Sequence, residues 1–319
     1  MVAAVETMAY VGEVPWHKLG IQVQEGITVD DMAIAAGLNW SVSKRPVQYG
    51  SSVPTNSPIL SFKDKFVLAR DIDDRPYSVV SGRYKEVQPK AVLNFFRTLV
   101  EKQGFKLHTA GSLMDGKRIW CLAETGDSAF IRSVDKVNGF LLLATSYDLS
   151  MSTVAQFTSV RVVCNNTLQQ ALGDRTGRVT LPHIREFDAN KVHDQLGISH
   201  DQWQAFTAAL ESIAKINLDA AKAKEIMNTV FQIPEDFEKA MVDSDRIHVD
   251  NVVQMFDQQR FIGADIAGKT GWGLVNAMTE YVDFRKKARN QASRLDSAWF
   301  GDNAHLKSRA LDETLKLAA

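Results

Sequence analysis

Phe62-Lys63-Asp64-Lys65-Phe66 alternates cations with aromatic rings, and Arg83-Tyr84-Lys85 repeats the pattern in shorter form. Lys117-Arg118 stands beside Trp120. Single-stranded nucleic acid is held by this combination: cations track the backbone and aromatic faces stack the bases. Stacking contributes roughly 1–3 kcal/mol per base and tolerates any sequence. Lys63, Lys65, Arg83, Lys85, Lys117 and Arg118 are therefore candidate phosphate contacts. Tyr84 and Trp120 are candidate stacking residues on condition that they face outward. The competing reading is equally simple. Period-two alternation on a half-buried strand sends the rings into the core and the charges to solvent, where they cannot cooperate. Arg285, Lys286, Lys287 and Arg289, with Arg294 close behind, form a second candidate patch.

Other motifs carry less. Gly263-Ala-Asp-Ile-Ala-Gly268-Lys269-Thr270 satisfies the phosphate-loop pattern, in which backbone amides cradle phosphates and the hydroxyl holds magnesium. A genuine phosphate loop follows a buried strand. Here the residues before Gly263 have Val252, Val253, Met255, Phe256 and Phe261 in a helical rhythm. The alternative reading is a loop in which Gly268 and Gly271 permit turns and Thr270 caps the next helix. The seven histidines form no metal-ligand spacing, so no metal and no cofactor are expected. Cys164 in Val-Val-Cys-Asn-Asn is either a nucleophile or, as apolar neighbours favour, a small core residue. Asp71, Asp73 and Asp74 belong to a turn. No catalytic residue is assigned.

These residues need elements to hold them. The 319-residue chain is 45% hydrophobic and 24% charged, ordinary values for a globular protein. Its net charge of −1 excludes a polycation, yet residues 44–118 hold fourteen basic against seven acidic residues. Two cysteines make no disulfide framework and fit a reducing compartment. No apolar run is long enough for a membrane span and no signal peptide is expected, so a cytoplasmic protein is.

Residues 28–37 read as a short helix capped by Thr28 or Asp30 and stopped by Gly37. Phe62–Ala69 and Tyr77–Val80 read as a hairpin, and Lys90–Lys102 as a helix. Strands at 105–113 and 118–123 flank an Asp115-Gly116 turn, and 140–147 pairs with 152–158. A helix is expected over 160–172. A long amphipathic helix over 202–231 carries Trp203, Phe206, Leu210, Ile213 and Ile216 on one stripe. Helical rhythm continues over 236–241, 249–261 and 271–292. Strands gather before about residue 185 and helices after it. The expected fold class is α+β: a mainly antiparallel sheet with packed helices over 1–185, then a mainly helical region over 186–319.

Four segments together are specific. They are Trp16-His17-Lys18-Leu19-Gly20; Val160-Arg161-Val162-Val163-Cys164-Asn165-Asn166-Thr167-Leu168; Gly271-Trp272-Gly273-Leu274-Val275-Asn276-Ala277-Met278-Thr279-Glu280-Tyr281-Val282-Asp283; and Ala298-Trp299-Phe300-Gly301 with Leu306 to Leu311 after it. In these, from about Tyr10 to Leu311, the chain resembles a family of phage- and plasmid-encoded proteins filed as a domain of unknown function. The resemblance implies a mobile-element context and brings no catalytic residues with it. Arg161, inside the second motif, is expected either at a basic surface or as an ion-pair partner of Asp148 or Glu280.

The leading expectation is a non-catalytic, homo-oligomeric single-stranded DNA-binding protein that promotes annealing of strands in recombination or replication. A second is an interaction protein that docks a host factor on the helices from Gln202 onward. A third is an ATPase acting through Gly263 to Thr270, which requires a strand ending just before Gly263.

Overall fold

The structure is a computed structural model that describes residues 5–12, 20–53, 59–161, 166–169, 178–196, 200–233 and 243–318. Alternation of apolar and polar residues builds its larger sheet. Strands β1 (Val5–Val11), β2 (Ile21–Val23), β6 (Lys106–Leu113), β7 (Arg118–Ile131), β8 (Asp135–Ser146), β9 (Thr153–Arg161) and β10 (Asn166–Gln169) lie in the order β10-β9-β8-β7-β6-β1-β2. A further strand, β11 (Arg178–Leu181), pairs with the first half of β9. All pairings are antiparallel except β1 with β2. The Asp115-Gly116 turn between β6 and β7 closes with Met114, Asp115 and Gly116 all at positive φ, the conformation a tight hairpin demands.

A separate three-stranded sheet holds β3 (Val42–Gly50), β4 (Ile59–Arg70) and β5 (Pro76–Ser81). Its base packs on the main core through Val42, Leu68 and Val80. Its far end, from Gln48 to Gly50 and from Ile59 to Lys65, is exposed on both faces. β3 escapes sequence reading because Pro46 interrupts it. The structure accommodates the proline with a register shift between Pro46 and Gln48, where its missing donor costs no regular ladder bond.

Helix α1 (Val29–Ala35) starts where Thr28 accepts from the Asp31 amide, and Gly37 follows it at φ +64°. Helix α2 (Pro89–Gln103) has proline in its first turn and Gly104 in the left-handed cap. Its stripe of Val92, Leu93, Phe95, Phe96 and Leu99 joins the core that backs one face of the large sheet. α3 (Ala189–Leu196) adds Val192 and Leu196 to the same core.

The later part is helical: α4 (His200–Ala214), α5 (Ala220–Val230), α6 (Asp243–Asp257), a short α7 (Ala264–Ala267), α8 (Gly271–Glu280), a π-helical turn over Tyr281–Arg285, α9 (Gln291–Phe300) and α10 (Asp302–Leu315). The mixed α+β class is as expected, mainly antiparallel sheets first and helices after. Three expected elements are corrected. The helix over 271–292 stops with the π turn at Arg285, and a new helix starts at Gln291, where Asn290 accepts from the Ser293 amide. The single helix over 202–231 is two helices, because Asn217 bridges Thr270 and Asp219 caps a new start by accepting from the Lys222 amide. The expected helix over 160–172 begins as strand: β9 runs to Arg161 and β10 follows from Asn166. Its residues 162–165 and 170–172, Cys164 among them, lie outside the described residues, as do 236–241 and Trp16 to Leu19.

α9 and α10 return to the large sheet. Trp299 and Phe300 pack with Met8, Tyr10, Trp120, Leu122 and Phe140 on the face opposite α2. The central strands are therefore covered on both sides. Among the described residues, no helix is long and apolar enough to cross a membrane.

Candidate nucleic-acid interface

The projecting end of β3–β4–β5 gathers three cations, Lys63, Lys65 and Arg83, that are exposed and form no ion pair with a described residue. Lys65 lies opposite Ser81 in the β4–β5 register. Asp64, at φ +57° within β4 where the register with β3 shifts, has its carboxylate accepting the Gly82 amide at 3.1 Å. That bond ties the loop carrying Arg83 to the strand carrying Lys63 and Lys65. Lys63 and Lys65 flank Asp64 in sequence, and Arg83 follows the Gly82 that bonds it.

Aromatic surface lies alongside. Tyr49 faces Leu60 across the strand pair, and Phe62 follows Ser61, where the register of the pair shifts. Tyr49 is 50% exposed and Phe62 54%. Val79, Val80, Ser81 and Tyr84 also line a hollow of about 580 Å³, with Leu149, Met151, His183 and Ile184 on its far side. Val79, Leu149 and Ile184 are each more than half exposed at its rim.

The neighbouring cations are committed elsewhere. Arg45 pairs with Asp71 and Asp74, and Arg70 with Asp73. The Arg70 hydrogen bond holds the Asp73 carboxyl at about 2, well below the usual range. Lys44 turns inward to donate to the Tyr84 carbonyl at 2.9 Å and pairs with Glu86.

Several sequence candidates are corrected. Trp120 is 1% exposed and meets Trp299 edge-on at 5.6 Å, so it cannot stack a base. Tyr84 is buried, stacked on His183 at 4.8 Å, with its hydroxyl directed to the Ser146 carbonyl. Burial, with Glu86 and Asp148 nearby, pushes that phenol pKa up. Arg118 is buried in an ion pair with Asp296, donates to Ser150 at 2.7 Å and lies over the Phe300 ring. Trp120 and Arg118 are internal because α9 covers the second face of the sheet, and Tyr84 because it packs in the core on the α2 side, against His183. Lys85 is exposed but pairs with Glu186 at 3.1 Å, and Lys117 is half-buried. Phe66, on the base of β4, packs against the core.

The second patch divides. Arg285 is anchored on buried Glu280 by two hydrogen bonds, of 3.0 and 2.6 Å. Glu280, one of the two expected partners of Arg161, is thus engaged by Arg285. Lys286 donates to Asn303 at 3.1 Å. Lys287 and Arg289 are exposed. Arg294 donates to the Asp283 carbonyl at 3.3 Å.

The phosphate-loop look-alike lacks its strand. Helix α6 precedes it, and Ala264–Ala267 forms the short helix α7. Lys269 pairs with Asp257 at 2.6 Å. Thr270 caps α8 by accepting from the Gly273 amide at 3.1 Å. Gly263 and Gly268, both at positive φ, close the turns. The structural condition for the ATPase reading is not met.

The architecture defines a mixed α+β protein with a projecting basic hairpin. The chain belongs to a family described as a domain of unknown function (DUF932), whose model matches residues 76–299. No curated protein and no solved structure matches the chain. The matched residues include β5, Arg83 and the rim of the hollow, whereas Tyr49, Phe62, Lys63 and Lys65 lie before them.

Proposed function

We propose that the protein binds single-stranded nucleic acid, DNA in the first instance, along the β3–β4–β5 projection. Lys63, Lys65 and Arg83 would contact phosphates. Tyr49 and Phe62 offer exposed rings, and the hollow beside Arg83 offers an apolar rim for unstacked bases. The observation that carries the reading is the meeting of exposed aromatic surface with three cations that form no ion pair among the described residues, at the exposed end of the sheet. Binding of this kind needs no nucleotide and no catalytic group, and it suits a protein that protects or anneals strands. The mobile-element context implied by the sequence resemblance agrees with such a role.

The test is fluorescence-anisotropy titration of a labelled single strand and its duplex at two salt concentrations. The expected result is salt-sensitive preference for the single strand. Replacing Lys63, Lys65 and Arg83 together with alanine should weaken binding and reduce the log–log salt slope by about 2, since each phosphate contact on a single strand contributes about 0.7. Phe62→Ala should weaken binding without changing that slope. Absence of binding at low salt, or an unchanged triple variant, overturns the proposal.

A further inference from the structure

A second cavity, in the helical part, has a different character. It encloses about 440 Å³ between α6 and the π-helical turn after α8, within the range of small-molecule sites. One face of α6 supplies His248, Asn251, Gln254 and Gln258, and the opposite wall is Tyr281, Arg285 and Lys287, with Arg260 at the end. Among the described residues, no carboxylate lines it.

The wall is built in advance. The Lys286 amide bonds back to the Tyr281 carbonyl at 2.7 Å, five residues earlier, which is the π-helical bond. The widened turn brings Tyr281 and Arg285 to one side. Arg285 is fixed by Glu280 and by the Arg260 carbonyl at 2.8 Å. The other oxygen of Glu280 accepts the Ile262 amide at 2.6 Å, so this carboxylate is 3% exposed and spent within the wall. Its charge cancels that of Arg285. Arg260 and Lys287 are exposed and form no ion pair with a described residue, which leaves the cavity two positive charges. The Tyr281 hydroxyl joins His248 Nδ1 at 2.5 Å and accepts from Asn251 at 3.3 Å. Gln254 and Gln258 present amides that both donate and accept. Met255 and Ile247 add apolar surface.

We propose that this cavity binds a nucleoside phosphate. Arg260 and Lys287, with the anchored Arg285 behind them, take the phosphate. The amides of Gln254 and Gln258 read the polar edge of the base, and Met255 and Ile247 receive its apolar face. Unlike the projecting sheet, this site is concave and carries no exposed aromatic ring, so it suits a compact ligand. It is independent of the nucleic-acid reading: its residues come from α6 and the π turn, and none lies on β3–β5.

The experiment is calorimetric titration of the full chain with the four deoxynucleoside 5′-monophosphates, the corresponding nucleosides, inorganic phosphate, and a short strand with and without a 5′-phosphate. At least one monophosphate should bind at least about tenfold more tightly than both its nucleoside and phosphate alone, since a charge-assisted contact is worth that much. Arg260→Ala with Lys287→Ala should lose at least about tenfold in that affinity. Gln254→Ala with Gln258→Ala should change which base is preferred. A 5′-phosphorylated strand that binds more tightly than any mononucleotide, with the same dependence on Arg260 and Lys287, would identify a strand end as the source of the ligand. The reverse order would identify free nucleotides. Equal affinity for nucleoside and monophosphate, equal affinity for phosphate and monophosphate, no binding of any probe, or an unchanged Arg260/Lys287 double variant overturns the proposal. The triple variant Lys63/Lys65/Arg83 should retain mononucleotide binding, so failure of one site does not imply failure of the other.

Discussion

His108 shows how burial alone sets a residue's behaviour. Its ring stands edge-on to Phe140 at 5.0 Å, and its Nδ1 has no hydrogen-bond partner. Burial pushes its pKa down to about 4. The unfolded chain, with an ordinary histidine near 6.5, binds a proton that the folded chain refuses between those values. The neutral ring's contribution to stability is therefore complete above about pH 6.5 and is lost as pH falls towards 4. Its full size is up to about 3 kcal/mol, from the shift in pKa. His183 and His193 are lowered in the same direction, each mainly by burial, and add to the slope. Urea midpoints measured from pH 7 to pH 4 should fall steeply in the native protein. In His108→Phe the fall should be shallower; an equal fall would remove His108 as its main source. At this scale the sequence showed which residue types were present but not which faces were covered. Arg118 and Trp120 sit on a strand whose two faces are both buried, and the cover comes from α9, far along the chain. Lys63 and Lys65 stay exposed because, among the described residues, no element packs on the end of β4.

Among the elements, the Gly263–Thr270 segment and α8 fit through their backbones. A Cβ on Gly273 would stand 2.0 Å from the Gly268 carbonyl oxygen. Gly268 itself sits at φ +67°, where side chains are strained. The glycines that mimic a phosphate loop instead let α7 fold against the start of α8. Gly273→Ala must move backbone rather than a side-chain tip, so it should cost at least the upper part of the roughly 1–3 kcal/mol typical of overpacking. Gly50→Ala, with nothing within 4 Å of its Cβ, should be close to neutral. Denaturant unfolding of the two variants separates these outcomes, and a neutral Gly273→Ala would mean that the turn yields easily. Helices with a strong stripe, such as α2, were legible from spacing. The break between α4 and α5 was less so, because apolar periodicity continues through Ile213, Ile216 and Leu218. The interruption depends on a long-range partner: the Leu218 amide donates to the Lys269 carbonyl at 2.9 Å. The cavity on α6 was hidden for a similar reason. His248, Asn251, Gln254 and Gln258 read as the polar face of an amphipathic helix, and only the π turn opposite makes them a wall.

The whole molecule has two main cores, and one hairpin serves both. Near its middle, β7–β8 contributes Cys121, Ala123, Leu141 and Leu143 to the core under α2. At its tip it contributes Ile131 and Val137 to the core formed by α4, α5, α6, α8 and α10. The tip is bonded as well as packed. Asp135, fully buried, accepts from the Trp272 indole at 2.8 Å. The Arg132 guanidinium donates to the carbonyls of Ile266 and Ala267, each at 2.9 Å, and its amide donates to Glu211 at 2.7 Å. The sheet cannot lose this hairpin without exposing apolar surface in the helices, and the helices cannot separate without leaving Ile131 and Val137 in water. At roughly 25 cal/mol per Å² of apolar surface, such shared burial couples the two cores strongly. Unfolding should therefore be one transition, despite the change from strands to helices along the chain. Tryptophan emission, with Trp40 in the first core and Trp203 and Trp272 in the second, should report the same midpoint as far-UV circular dichroism. Trp272→Phe, which removes the indole donor to Asp135, should lower both midpoints together. Separate midpoints, or a variant that shifts only one probe, would show that the hairpin joins two independently stable halves.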